Sequence, residues 1–448
     1  MSGVRIAHEV SMKQSLALLL LAGILLIPLS SLAADETPNY AADTLTGDWD
    51  GARAAMFDQG LALDIGYKAD LLRNTSGGVA KGGRPMTHLD VKLKADLEKL
   101  ANWSGGTAYV NLLYDRGDQF NAHRVGSLTG VSNIEVATST HRLFHAWLQQ
   151  EFAEGRGAVL AGLYPIDSEF QVLDSAGVFL QPPYGASADI ALTRTPSIFN
   201  NSSFGLRARW FSADRSAYLQ GAVLDGNPGD QNNPRGTHIR FDKGDGVMSI
   251  VELGLKPGAA RAAEPAAAAK DAVQKPGEEA AERIEKYAAG LWRYSTRVAD
   301  QLDTQADGSP MNRLRWGWYA LAEKTLYEAG GGTDLAAFVR ISGTDGDSSA
   351  IKRAVNLGIR AKGMLAGRSE DVFGLAYTRA YLSGKWRGAQ SVLGTQTSAV
   401  EDAWEITYRI QADKWLVLQP LIQRINHPGG DSSRGAAMIV GARVEITF

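Results

Sequence analysis

Residues 440–448, VGARVEITF, alternate apolar and polar side chains without a break. Val440, Ala442, Val444, Ile446 and Phe448 fall on one side, with Gly441, Arg443, Glu445 and Thr447 on the other. Successive side chains of a strand point to opposite faces, so this is a strand with one greasy side and one wet, charged side. Behind an export leader, such a last strand suggests a barrel that faces lipid outside and water inside. A soluble β-protein would accommodate the same strand, so the rest of the chain has to decide.

The leader is plain. Residues 16–27, LALLLLAGILLI, form an apolar run behind Lys13, followed by Pro28 and by Ser31-Leu32-Ala33. A basic start, an apolar stretch too short to span comfortably and a small-x-small site make residues 1–33 an expected signal peptide. No later stretch reaches about 18 apolar residues, so a mature chain that crosses a membrane must cross it with strands. Cysteine is absent, which removes disulfides and thiolate metal sites. A formal charge of −3 gives no reason to expect a nucleic-acid partner.

No G-x-S-x-G, Walker or Rossmann fingerprint occurs, so neither an enzyme activity nor a cofactor is expected. His141 and His145 would stand ~13 Å apart on a strand, too far to share a metal. Asp225, Asn227 and Asp230 in DGNPGD read as a polar turn rather than a Ca²⁺ loop. No metal site is expected.

Residues 34–60 form an expected periplasmic N-terminal segment, with a short helix over 52–59 capped by Asp48 or Asp50 and ended by Gly60. From Leu61 the period becomes two. Leu61, Leu63, Ile65, Tyr67, Ala69 and Leu71 face one way; Asp64, Lys68 and Asp70 face the other. After a polar loop, NTSGGVAKGGRP, Leu89–Leu97 repeat the pattern against Asp90, Lys92, Lys94 and Asp96. Similar runs recur to the end of the chain, about sixteen in all and roughly ten residues each, the size of a tilted membrane strand.

The links between runs alternate in length. Those at 101–106, 154–157, 213–216, 329–332, 364–370 and 412–413 are short; those at 117–140, 167–202, 226–245 and 383–399 are long. This predicts an all-β fold over 61–448: a transmembrane antiparallel β-barrel of about 16 strands with short periplasmic turns and long extracellular loops. Residues 257–285, rich in Ala, Glu and Lys, interrupt the short-turn side. They are expected as a periplasmic insertion, partly helical or disordered, with Pro265 and Pro276 as breaks.

Several segments resemble one family. LTGDWDGARAAMFDQGLAL, AGLYPIDSEFQVLDSAGVFLQPPYG, PSIFNNSSFGLRARW, YLQGAVLDGNPG, GLWRYST, GWYALAEKTLYE and WEITYRIQADKWLVLQPLIQRINHPGG occur here in the order of the carbohydrate-selective porins of OprB type. The resemblance runs from about Leu45 to Phe448 and departs at Asp50, where the family commonly has glycine. It implies a sixteen-stranded barrel in the outer membrane of a Gram-negative bacterium, passing sugars, often glucose, by diffusion. It brings with it outer-membrane lipids as surroundings, the assembly machinery as a partner that reads Phe448, and a homotrimer as the expected assembly. A general or organic-acid porin on the same barrel is the alternative. An outer-membrane enzyme and a soluble secreted β-protein rank below it.

A sugar channel needs charged side chains that bond paired hydroxyls, and aromatic faces for the C–H side of the ring. Strand parity turns Asp64, Lys68, Asp90, Lys92, Lys94, Arg207, Arg209, Arg340, Arg360, Glu405, Arg409 and Arg443 inward. Arg207, Arg209 and Arg340 fall mid-strand and are the expected constriction residues. The likeness to porins implies that the loop 167–202 folds inward and adds Asp167, Glu169 and Arg194, with Phe179 or Tyr184.

Overall fold

The computed structural model describes residues 37–117, 119–193, 196–230, 232–257, 283–329 and 332–448. The expected signal peptide (1–33), nearly all of the 257–285 insertion and Arg194 lie outside the described residues.

Sixteen strands close on themselves in sequence order. The first eight are β1 (Leu61–Ser76), β2 (Gly82–Asp96), β3 (Gly106–Arg116), β4 (Thr140–Phe152), β5 (Gly157–Tyr164), β6 (Ser203–Phe211), β7 (Ala217–Asp225) and β8 (Val247–Leu255). The second eight are β9 (Glu285–Thr304), β10 (Pro310–Ala329), β11 (Thr333–Thr344), β12 (Ile351–Lys362), β13 (Val372–Leu382), β14 (Val400–Asp413), β15 (Leu416–Asn426) and β16 (Ala437–Thr447). Every neighbouring pair is antiparallel, and β16 returns to β1 with Arg443 opposite Asp70 and Ile446 opposite Tyr67. Closure leaves no open edge, the condition for a sheet to stand in lipid.

The alternation seen in sequence becomes the two faces of the wall. Leu71, Leu253 and Leu291 are 58%, 57% and 58% exposed although each lies mid-strand or near it, while neighbouring Asp70 and Glu252 are buried. An apolar outside and a polar inside invert the pattern of a water-soluble barrel and fit lipid. Register is held by this inversion. A one-residue slip would carry Arg443 outward, at about 2–4 kcal/mol per charge near the midplane.

The links at 117–139, 165–202, 226–246 and 383–399 all lie at one end, and apart from the 256–284 segment the links at the other end are short, so the first end is the extracellular one. Both β1 and β16 meet at the other end. There the helix α1 (Ala52–Asp58) starts after Gly51, whose φ of 89° suits glycine. Asp48 accepts from Ala54 N at 2.9 Å and so caps it from outside the helix.

Two expectations about boundaries change. NTSGGVAKGGRP is mostly strand: Asn74 pairs with Gly82 and Leu71 with Pro85, so the loop shrinks to 77–81. β9 and β10, at 20 residues each, run well beyond the roughly ten expected of a strand here. Their tips are held by Lys385, which reaches Asp300 at 2.6 Å, Asp303 at 2.7 Å and Asp347 at 2.9 Å.

Candidate functional site

The loop 165–202 between β5 and β6 folds into the lumen. Its sequence makes this stable, because Phe170, Phe179, Tyr184 and Ile190 need an apolar seat and find one against wall residues such as Trp292, Leu321 and Phe338, while Leu180 packs with Ala403, Leu421 and Ile425. Phe179 lies over Gly374, where a Cβ would come within 2.8 Å of its ring. Burial of each such side chain contributes roughly 1.5–3 kcal/mol.

The loop's main chain also needs partners, since backbone polar groups inside the barrel are cut off from bulk water. Wall carboxylates supply them. Glu252 on β8 accepts from Gln171 N at 3.0 Å. Glu323 on β10 accepts from Asp174 N, Ser175 N and Ser175 Oγ at 3.1, 2.9 and 2.7 Å. Glu405 on β14 accepts from Leu180 N at 2.7 Å and Gln181 N at 3.0 Å. Where the loop presents carbonyls, the wall presents cations or amides: Lys286 Nζ to Val172 O at 2.7 Å, and Gln419 Nε2 to Val178 O at 2.6 Å. The second inward loop, 117–139, is pinned the same way by Glu401, which accepts from Leu128 N and Thr129 N, each at 2.9 Å.

The loop is clamped to the wall from β6 to β15, and the lumen beside β2 to β5 holds a cavity. It measures about 490 Å³ and is lined by wall residues together with Ser168, Glu169 and Phe199 of the loop. That volume is in the range of small-molecule sites, about 300–1,000 Å³. The cavity's charged lining is Asp90 and Lys92 on β2 and Glu169 of the loop, the last held by Arg207 on β6. Between them β3 and β4 carry rings: Tyr109 and Trp147 lie 5.1 Å apart at 30°, and Tyr109 meets His145 edge-on at 5.4 Å.

A β-bulge builds the aromatic side. Asn111 pairs with His145 but Leu112 pairs with Leu143, so Phe144 is an extra residue on β4, and both Phe144 and His145 line the cavity. Gly162 on β5, φ 145°, makes room behind Trp147; a Cβ there would stand 2.5 Å from Trp147 Cα. On the extracellular side of the rings, His88 is bracketed by Asp115 at Nδ1 and Asp90 at Nε2, each at 2.6 Å. Asn200 Nδ2 reaches the other oxygen of Asp115 at 2.9 Å and ties the end of the loop to this row.

The expected site residues separate. Arg207 and Glu169 come together: Arg207 Nε and Nη2 donate to Glu169 at 2.8 and 2.5 Å, and Nη2 also donates to Gln149 at 2.7 Å. Arg209 stands beside them, half-buried, with its guanidinium 5.1 Å from the Phe211 ring. Asp167 accepts from Phe199 N at 3.2 Å, and burial pushes its carboxyl up to about 6. Burial likewise pushes Glu135, in the other inward loop, up to about 7, although Asn121 N donates to it at 2.7 Å.

Arg340 is placed differently from the expectation. It is 0% exposed and donates to the carbonyls of Gln171, Gly185 and Pro183, so it braces the loop from behind and does not meet the passage. Phe179 and Tyr184 are buried in the same packing. Arg443 is also locked, to Asp70 at 2.7 and 2.9 Å and to Asn133 at 2.7 Å. Tyr109, Trp147 and His88 are cavity residues that the sequence reading did not single out, and His145 entered it only as a rejected metal ligand. Inward parity was the available signal for Tyr109, but the bulge that sets the parity of β4 leaves no mark in the sequence.

A closed barrel with a lipid-facing outside, narrowed by an inward loop to a polar, charged passage, defines a porin. Comparison with known proteins makes this specific. The family model described as carbohydrate-selective porin, OprB family, matches residues 80–448. Porin B of Pseudomonas aeruginosa is 23% identical over 440 residues, covering 90% of this chain and 91% of its own. The high-pH structure of Pseudomonas putida OprB superposes with a TM-score of 0.77 at 17% identity, covering 91% of this chain and 99% of that one. Its low-pH structure gives 0.57 at 15% identity over the same shares.

The chain belongs to the OprB family of carbohydrate-selective porins. It is a channel of the Gram-negative outer membrane and not an enzyme.

Proposed function

We propose that glucose-like sugars cross this barrel along the β2–β5 wall. The sugar's apolar ring face would slide over Tyr109 and Trp147, and its hydroxyls would meet Asp90, Lys92 and the Arg207–Glu169 pair. The observation that carries the reading is one cavity of about 490 Å³ that brings the rings of Tyr109 and Trp147 together with the charges of Asp90, Lys92 and Glu169. A pyranose has the same two aspects: C–H faces and an equatorial belt of hydroxyls. Charged groups bond hydroxyls more strongly than neutral ones do. Because Arg207 and Glu169 already satisfy each other, neither offers an unpaired charge that would hold a sugar too long for release on the far side. Mixed charge in the cavity, rather than cations alone, favours a neutral polyol over an organic acid.

Liposome swelling tests this. Glucose is expected to enter several-fold faster than gluconate, and Trp147→Ala to narrow the difference. Faster entry of gluconate would move the preference to organic acids.

The finer organisation belongs to the same proposal. Residues 1–33 act as the signal peptide, 34–60 as a periplasmic segment, and 257–285 as a periplasmic insertion. Outer-membrane lipids surround the barrel, and it assembles as a homotrimer, which cross-linking in native membranes would reveal. Phe448 serves as the signal read by the assembly machinery. Its N–H donates to Ile65 O at 2.9 Å, at the seam that forms last if β1 waits for β16.

A further inference from the structure

The lipid-facing surface is apolar over most of its height, but on β12 to β15 its extracellular end carries a compact group of cations. Arg353 on β12 lies opposite Tyr381, Arg379 on β13 opposite Asp402, and Arg424 on β15 opposite Trp404. All three point outward, since their chain neighbours Ala354, Ala380, Gln423 and Ile425 are buried in the lumen or its lining. Arg353 and Arg379 are diagonal neighbours on adjacent strands, about 7–8 Å apart at the backbone. Arg424 follows two strands further along the same diagonal.

They are weakly ion-paired. Arg379 reaches Asp402 only at 3.9 Å, is hydrogen-bonded to Tyr381 and stands 5.6 Å from the centre of the Tyr377 ring, and Arg424 Nε donates to the neutral Asn426 at 3.2 Å. Among the described residues neither Arg353 nor Arg424 makes an ion pair. Against one carboxylate, Asp402, the patch keeps an excess of two positive charges. Within it the Tyr377 and Trp404 rings lie 4.6 Å apart, tilted at 44°, and directly below lie Ile406 and Ile422, 47% and 50% exposed. The other ends of these four strands place only apolar and aromatic side chains outward, among them Ile359, Phe373, Tyr408 and Leu418. The charge is therefore confined to one leaflet.

We propose that Arg353, Arg379 and Arg424 form a site for the phosphorylated head group of an acylated glycolipid in the outer leaflet. Phosphate oxygens accept from the guanidinium forks, which match them in geometry. The Tyr377–Trp404 pair meets the sugar at the interface, and acyl chains lie along Ile406 and Ile422. Arginines that only needed water would be served singly, at any position around the rim. Here Arg379 and Arg424 flank one aromatic pair, and Arg353 extends the row beside Arg379, a spread of cations that fits a multivalent anion. The site lies outside the barrel and is independent of the sugar pathway.

The test is titration of the full mature barrel in detergent with lipid A, a phosphorylated, acylated disaccharide, read by native mass spectrometry. Saturable binding is expected, weakened at least about tenfold by Arg353→Gln/Arg379→Gln/Arg424→Gln. Enzymatically dephosphorylated lipid A is expected to bind as weakly to the parent as intact lipid A binds to that variant. Arg73→Gln/Arg293→Gln/Arg297→Gln, which removes the same charge elsewhere on the rim, is expected to leave the affinity within about twofold. Unchanged single-channel conductance establishes that each variant is folded, and Arg424→Gln alone serves if the triple variant does not insert. Equal binding by the first triple variant, or equal binding of the dephosphorylated lipid, would overturn the proposal. So would displacement by inorganic phosphate at concentrations matching the lipid, which would make the site one for the free anion.

Discussion

Arg207, in the middle of β6, holds Glu169, near the start of the inward loop, through a two-pronged ion pair of 2.8 and 2.5 Å. The pair joins the wall to the loop at the edge of the cavity, and Gln149 on β4 extends it to a third element. Arg207 is 2% exposed, so breaking the pair from one side leaves a charge with little water to turn to. Glu169→Gln should therefore displace the loop's first turn, at a local cost of about 3–5 kcal/mol. In planar bilayers this variant is expected to lose sugar affinity about tenfold or more and to shift ion selectivity toward anions. A normal affinity with normal selectivity would remove the pair from the passage.

The wall carboxylates define the width of the channel by what they hold. Glu323 alone takes three hydrogen bonds from the loop, each to a charged acceptor and worth about 1.5–3 kcal/mol. Glu323→Ala combined with Glu405→Ala should free the loop from half of the lumen. Conductance is expected to rise severalfold with larger current noise, while sugar block fades. The far-UV β signature of the barrel should persist. Arg340→Met is expected to act in the same direction, because three loop carbonyls lose their donor together.

How much of this was legible in the sequence divides along the range of the interactions. Strand faces were legible because lipid and water impose opposite tastes on alternate residues, and the twelve charges assigned inward by parity do lie on the lumen side. The extensions of β2, β9 and β10 were not, since Gly82-Gly83 and the polar hairpin tip have turn composition and are held in ladders by partners across the sheet. The roles of the charges were the least legible. Arg207 and Arg340 have the same parity and similar depth, yet one holds Glu169 at the edge of the cavity and the other is sealed behind the loop. Only the path of the loop separates them. Glu405 read as a pore charge and is a clamp for Leu180 and Gln181.

At the periplasmic rim Arg53 of α1 closes the seam. It donates to Phe448 O at 2.7 Å and Leu63 O at 2.9 Å, with Tyr40 over its guanidinium at 4.3 Å. Arg53→Ala is expected to destabilise the folded barrel by about 2–3 kcal/mol through the lost charged donors. Heat-modifiable gel mobility would show this as a lower transition temperature, with single-channel conductance unchanged. A conductance change would place α1 in the permeation path instead.

Channel charge should respond to pH through the two inward loops. Burial raises Glu135 to about 7 and Asp167 to about 6, so both are ionised at pH 8 and both are protonated by pH 5. Losing two negative charges makes the lumen more positive, and the reversal potential in a salt gradient is expected to move toward anion preference as pH falls. Glu135→Gln/Asp167→Asn should behave at pH 8 much as the parent does at pH 5, leaving a flatter profile. A parent profile flat across this window would show that neither carboxyl faces the ions.

The account rests on sugar sharing the passage with ions along the β2–β5 wall. Single-channel current in a planar bilayer, titrated with glucose, measures this directly, with Trp147→Ala beside the parent. Saturable block of the parent current is predicted, with block by glucose weakened about tenfold in the variant while its open current is kept or raised. Current that falls only as the viscosity of the solution rises, in parent and variant alike, would contradict a sugar site in this channel.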